Sequence, residues 1–180
     1  MGRSSFELAR KVPEVIGIDF SKAFITAAKK LASTGEYPFR LNEEGNRTRP
    51  ARAVAPSRKI RKRVRFQMGD ALRLPDLGRF DVVLGANLLD RVKNPKRLMQ
   101  KVLPKLIRPG GLLLLTSPYT WSKEFTPQSC WPNDSSPTIR KLLSHHYRLV
   151  HRQDLPFLLR EHRRKFQLTF ADATLWTKLP

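Results

Sequence analysis

Four short apolar runs, each closing on polar residues, constrain this chain more than any other feature: "VIGIDFS", "VRFQMGDA", "FDVVLGANLL" and "LLLLTSPY". Helical patterns separate the first from the second and the third from the fourth. Ser4 to Arg10 has helical spacing, with Phe6 and Ala9 on one face and Ser4 or Ser5 able to cap its start. Val15 to Phe20 reads as a strand, and Ser21 then caps a helix whose Phe24, Ile25, Ala28 and Leu31 share a face before Gly35 stops it. Val64 to Met68 is a second strand. The third, "RFDVVLGANLL", is nearly all apolar and is expected to be covered on both faces, as in a parallel sheet. A helix from about Asn94 buries Leu98, Val102 and Leu106 until "RPGG" ends it, and "LLLLTSPY" is the next buried strand. Thr138 to Ser144 reads as a helix, and "DLPFLLRE" and "KFQLTFADATLW" as an antiparallel hairpin with a long connection. Strand and helix in alternation predict an α/β, doubly wound sheet, mostly parallel with an antiparallel C-terminal hairpin.

A length of 180 residues suits one domain, so residues 1–180 are expected to form a single one. Within it, "EEGNRTRPARAVAPSRK" and the run "SRKIRKRVRF" have almost no apolar periodicity, and residues 42–63 are expected to be a flexible basic insertion. No apolar stretch approaches the roughly 20 residues of a membrane span, and the start lacks the apolar core of a secretory signal. The one cysteine, Cys130, can form no internal disulfide, which suits a reducing, cytoplasmic setting.

Charge raises a competing class. The chain has 35 Lys and Arg against 15 Asp and Glu, a formal +20, and such a field attracts polyanions. The positive residues are scattered, however, without the aromatic interleaving of a base-stacking surface, so a solvated basic surface is expected and no specific nucleic acid. No His-rich spacing suggests a metal.

In open α/β sheets ligands bind at the carboxyl ends of the strands. Here those ends carry Asp19, Asp70, Asn87 and Ser117 to Tyr119. An acid closing the second strand of a Rossmann-type unit can accept from both hydroxyls of a ribose, and Gly2 precedes Asp19 by 17 positions, near the expected offset of about 20 from a glycine loop. The alternatives are a helix cap or solvated loop end for Asp19 and a plain Gly-Asp turn for Asp70.

The motifs "GRSSFELAR", "VIGIDFS", "FQMGDA", "DVVLGANLLDRV", "PGGLLLLTSPYTW", "EFTP" and "LREHRRKFQ" together closely resemble the class I S-adenosylmethionine-dependent methyltransferases of ovothiol biosynthesis, which methylate an imidazole nitrogen of thiolated histidine. The resemblance implies a Rossmann-like class I methyltransferase sheet and S-adenosyl-L-methionine as cofactor. It implies that Asp19, with Phe20, binds the ribose, that Asp70 and Ala71 border the adenine, and that Asn87 and Leu88 flank the sulfonium, with Gly2 the remnant of the glycine loop. Related chains carry an upstream strand and further glycines before "GRSSFELAR". The expectation is therefore a truncated domain lacking its first strand, with a gap or forced pairing at the sheet centre and impaired activity. A tryptophan-glycine loop usual after "EFTP" is replaced here by "QSCWPNDSSPT".

Methyl transfer needs mainly orientation and a shaped pocket, and a neutral imidazole with a pKa of about 6.5 is already a nucleophile, so no catalytic residue is assigned. Tyr119 and Trp121 are candidates for cation–π contact with the sulfonium. Arg160, then Arg91, are candidates to bind the carboxylate of a small histidine-derived substrate. His145 and His146 read as surface. A basic nucleic-acid-associated protein and a non-catalytic methyltransferase fragment are the alternatives.

Overall fold

The computed structural model describes residues 2–180. Two compact units are distinguished within the chain: residues 1–73 with 160–166, and residues 74–159 with 167–180.

The first unit opens with α1 (Arg3–Leu8), β1 (Val15–Asp19) and α2 (Lys22–Thr34). Ser21 caps α2, its Oγ accepting from the Phe24 N–H at 3.3 Å. Gly35 ends it in the left-handed conformation, φ 88°, with its N–H returning to the Leu31 carbonyl at 2.9 Å. β1 pairs in parallel with β4 (Val64–Met68), Val15 opposite Val64 and Asp19 opposite Met68. Phe6, Ala9, Ile25, Ala28, Leu31, Val64 and Phe66 form the core, with Phe6 edge-on to Phe66 at 5.5 Å.

The basic insertion is a correction. Residues 42–63, expected without regular structure, belong to an antiparallel hairpin, β2 (Glu36–Glu44) with β3 (Arg47–Val54), and to the helical turn α3 (Arg58–Arg61). Its side chains form surface charge pairs instead of an apolar stripe: Arg52 pairs with Glu36 at 3.0 Å and Arg49 with Glu43 at 2.9 Å. Tyr37 and Ala53, partners across the ladder, pack on the unit's core.

In the second unit, β5 (Phe80–Ala86) pairs in parallel with β6 (Ile107–Ser117), and the sheet runs β5-β6-β8-β7 with β7 (Tyr147–His162) and β8 (Lys165–Lys178). β6 and β8 are antiparallel, Ser117 lying opposite Asp172. The class is thus α/β with a mixed sheet. The expected hairpin is present, but β7 and β8 are longer than predicted and only Arg163 and Arg164 connect them. Between β5 and β6 the helix is broken into α4 (Pro95–Arg97), a π-helical turn (Leu98–Val102) and α5 (Leu103–Leu106). Pro104 has no N–H to continue a regular ladder there. The "RPGG" expected to stop this helix already belongs to β6. The helix α6 (Ser135–Leu143) completes the unit, starting earlier than predicted.

Among the described residues β1 pairs with β4 alone and β5 with β6 alone, so each is an edge strand of its own sheet. The consequence for β5 contradicts the expectation of cover on both faces. Only Gly85 is buried, and Val82 is 41% exposed.

Candidate functional site

The polar residues that follow the strands fall into two groups, one in each unit. In the first unit, Gly2 lies at the start of α1 with φ 73°, and a Cβ there would stand 2.8 Å from the Phe66 ring. A Cβ on Gly17 would meet the same ring at 2.7 Å and the Ser5 hydroxyl at 2.8 Å. Two glycines therefore keep open a hollow of about 110 Å³, lined by Gly2, Ser5, Gly17, Asp19 and Phe24 among others. Asp19 stands at its rim with Oδ1 accepting from the Ser21 N–H at 2.8 Å, so one carboxylate oxygen organises the turn into α2. The cap reading and the ligand reading of Asp19 thus concern different oxygens. Phe20 is 80% exposed and does not line the hollow. Asp70 makes the turn that was its alternative, Oδ1 accepting from the Leu72 N–H at 2.8 Å and its carbonyl from Arg73 at 2.9 Å. Ala71 beside it is half-buried.

Arg160 also belongs to the first unit. Its guanidinium donates to Glu43 at 2.7 Å, and the Arg163 N–H donates to the Glu43 carbonyl at 3.1 Å, fastening the hairpin tip to β2. The Arg160 and Arg49 hydrogen bonds hold the Glu43 carboxyl below its ordinary pKa. Arg160 thus has an acidic partner already.

In the second unit the ends of β5 and β6 are laced together. Asn87, in the left-handed region at φ 48°, donates its N–H to the Thr116 carbonyl at 2.8 Å and accepts from the Thr116 hydroxyl at 2.8 Å. Leu88 is half-buried. Asp90 is fully buried and accepts from Thr120 at 2.9 Å and Ser117 at 3.4 Å. Arg91 donates to the Thr120 carbonyl and hydroxyl at 3.3 and 3.2 Å and lies over the Phe125 ring at 5.0 Å. These contacts fix the loop that follows β6.

That loop delivers Tyr119, at φ 55°, to a second cavity of about 410 Å³, within the size range of small-molecule sites. Its lining comprises Ser117 and Tyr119, Asn133 to Ser136 at the start of α6, Arg152 and Asp154 of β7, and Phe170 and Asp172 of β8. Asp172 is the hub. Its Oδ2 accepts from the Tyr119 hydroxyl at 2.8 Å and from Ser136 at 2.7 Å, and its Oδ1 from Arg152 Nε at 2.8 Å. Burial opposes its ionisation, but the bonds from Ser136, Tyr119 and Arg152 outweigh it and hold its pKa below the usual value. Burial first, and then the bond to Asp172, push the Tyr119 hydroxyl well above its ordinary range, so it stays protonated. Trp121 donates from Nε1 to Ser135 at 2.9 Å and stands behind the wall formed by that serine.

Sequence reasoning missed Asp172, Arg152, Ser136 and Asp90. One signal was present: Asp172 interrupts the apolar run of "TFADATLW", and a carboxylate in such a run is seldom buried without partners. His145 is exposed as expected, while His146 is half-buried against Tyr147. Among the described residues no group of His, Cys, Asp and Glu could hold a metal ion, and no helix is long and apolar enough to cross a membrane.

The family described as a methyltransferase domain matches residues 1–115, more than half of the 180-residue chain. A search of curated proteins gave no match. Among solved structures, one from the conversion of a disulfide bond into a thioacetal group during echinomycin biosynthesis is similar at 16% identity and a TM-score of 0.65, over 99% of this chain and 71% of that one. The N-methyltransferase NodS of Bradyrhizobium japonicum WM9, in complex with S-adenosyl-L-homocysteine, is similar at 13% identity and 0.58, over 98% and 72%. A SAM-dependent methyltransferase of Methanosarcina mazei is similar at 15% identity and 0.63, over 99% and 88%. At these identities the likeness is one of fold, an α/β class I methyltransferase fold.

Proposed function

The chain belongs to the methyltransferase-domain family, and from that premise we propose that it transfers the methyl group of S-adenosyl-L-methionine to an imidazole nitrogen of a thiolated histidine. The family match supports the reaction class. The acceptor follows from the resemblance of "GRSSFELAR", "TSPYTW" and "RRKFQ" to the ovothiol methyltransferases. The observation that carries the reading is the 410 Å³ polar cavity at the carboxyl end of β6, where open α/β sheets take their ligands.

The first unit fits the sugar end of the cofactor. Its hollow exists because Gly2 and Gly17 lack side chains, and among the described residues Asp19 at its rim has committed only Oδ1 to the backbone. Asp19 would hold the ribose, and Asp70 and Ala71 the adenine. S-adenosyl-L-methionine supplies an electrophilic methyl carbon bonded to a sulfonium sulfur. The chain's own part is orientation and exclusion of water. Tyr119 has spent its proton on Asp172 and is no base; its ring and that of Phe170 are the aromatic surfaces that line the cavity, while Trp121 stands behind Ser135. A neutral imidazole needs no base to attack, which suits a cavity whose phenol stays protonated and whose buried carboxylate is saturated with donors.

The test is incubation with methyl-labelled cofactor and thiolated histidine, followed by chromatography and mass spectrometry. The expected product carries one labelled methyl on a ring nitrogen. Label on sulfur, or none transferred to this acceptor, would overturn the assignment.

A further inference from the structure

We infer that Arg152, braced by Asp172, is the carboxylate-binding residue of the second-unit cavity, and that with Asp154 it selects a zwitterionic α-amino acid as occupant. This rests on the methyl-transfer reading of that cavity and deepens it. Arg152 uses only Nε in its bond to Asp172, at 2.8 Å. Among the described residues its Nη1 and Nη2 make no hydrogen bond or ion pair, although the Asp154 charge acts on the guanidinium, and its side chain is 42% exposed while that of Asp172 is 5% exposed. A guanidinium anchored through Nε on a buried carboxylate presents its remaining fork outward, and two parallel N–H donors match a carboxylate. Asp172 lies on β8 and Arg152 on the neighbouring β7, so both ends of the brace sit on sheet instead of loop.

The second charge of the ligand has a counterpart as well. Asp154 follows Arg152 by two residues on β7, which puts both on one face about 6.6 Å apart along the strand. A cation then an anion at that spacing complement an α-carboxylate and its neighbouring ammonium. Phe170 and the Tyr119 ring line the same cavity and offer apolar surface to the rest of the molecule. Arg160, the sequence candidate for this role, is paired with Glu43 in the first unit.

Three probes dissect the inference by calorimetry on the full chain: L-histidine, histamine, which lacks the carboxylate, and imidazole-4-propionate, which lacks the ammonium. L-histidine is expected to bind at least tenfold more tightly than either. Arg152→Gln should remove the preference over histamine, Arg152→Lys should restore part of it, and Asp154→Asn should remove the preference over imidazole-4-propionate. Asp172 is a positioning residue, and Asp172→Asn should reduce the histidine-to-histamine ratio. Histamine binding as tightly as histidine, no binding of any probe, or an unchanged ratio in Arg152→Gln would overturn the inference. A chain that keeps the histidine preference but fails to methylate thiolated histidine would count against the proposed acceptor and not against the Arg152 site.

Discussion

Asp172 contributes to the fold as well as to the cavity. Its pKa is held below the ordinary carboxylate value, so the stabilisation it confers is complete above the unfolded pKa of about 3.9 and is lost as pH falls through the lower folded value. Asp172→Asn should therefore cost about 1–3 kcal/mol near neutrality, and denaturant melts should show wild type and variant converging below about pH 4. Gly17→Ala tests the first unit in the same way. A Cβ at 2.7 Å from Phe66, a core ring, and 2.8 Å from Ser5 must displace one of them, and a loss of about 1–3 kcal/mol is expected in thermal melts. Residues at strand ends were legible in sequence because a polar residue closing an apolar run is conspicuous, as Asp19 and Asn87 are. Asp172 carried only the weak signal of an acid inside an apolar run, because its donors Tyr119, Ser136 and Arg152 lie 53, 36 and 20 positions away in sequence.

Two elements of the first unit match their periodic apolar faces nearly to the residue, whereas the helix expected from Asn94 is broken and leaves Val102 and Leu106 only half-buried. Ser21 and Gly35 mark both ends of α2, and Val64–Met68 is the strand predicted. Gly35→Ala measures how much that punctuation contributes. Alanine at φ 88° is strained and its Cβ would lie 3.2 Å from the Arg61 guanidinium, so about 1 kcal/mol should be lost in melts. The hairpin of β2 and β3 escaped detection for a physical reason. Its side-chain pairs are mostly charged and exposed, and one pair, Tyr37 with Ala53, packs on the core, so no stripe of apolar residues announces it. The apolar run of β5 misled in the opposite direction. Composition predicts a strand covered on both faces, but cover depends on neighbours, and β5 has a ladder on one edge only.

The charge is distributed unevenly over the whole molecule: 21 of the 35 Lys and Arg, but 8 of the 15 Asp and Glu, belong to the first unit. Any affinity for DNA or RNA should follow from that field alone. It should be independent of sequence and fall steeply between about 50 and 200 mM salt, as filter binding with scrambled oligonucleotides would show. Tight, sequence-selective binding that survives high salt would favour a nucleic-acid function instead. Methyl transfer requires that the cofactor bind, and titration calorimetry with S-adenosyl-L-methionine tests this most directly. The predicted result is saturable one-site binding that Asp19→Ala weakens by about 1.5–3 kcal/mol, more than tenfold. No saturable binding, or equal affinity in the Asp19→Ala variant, would contradict it.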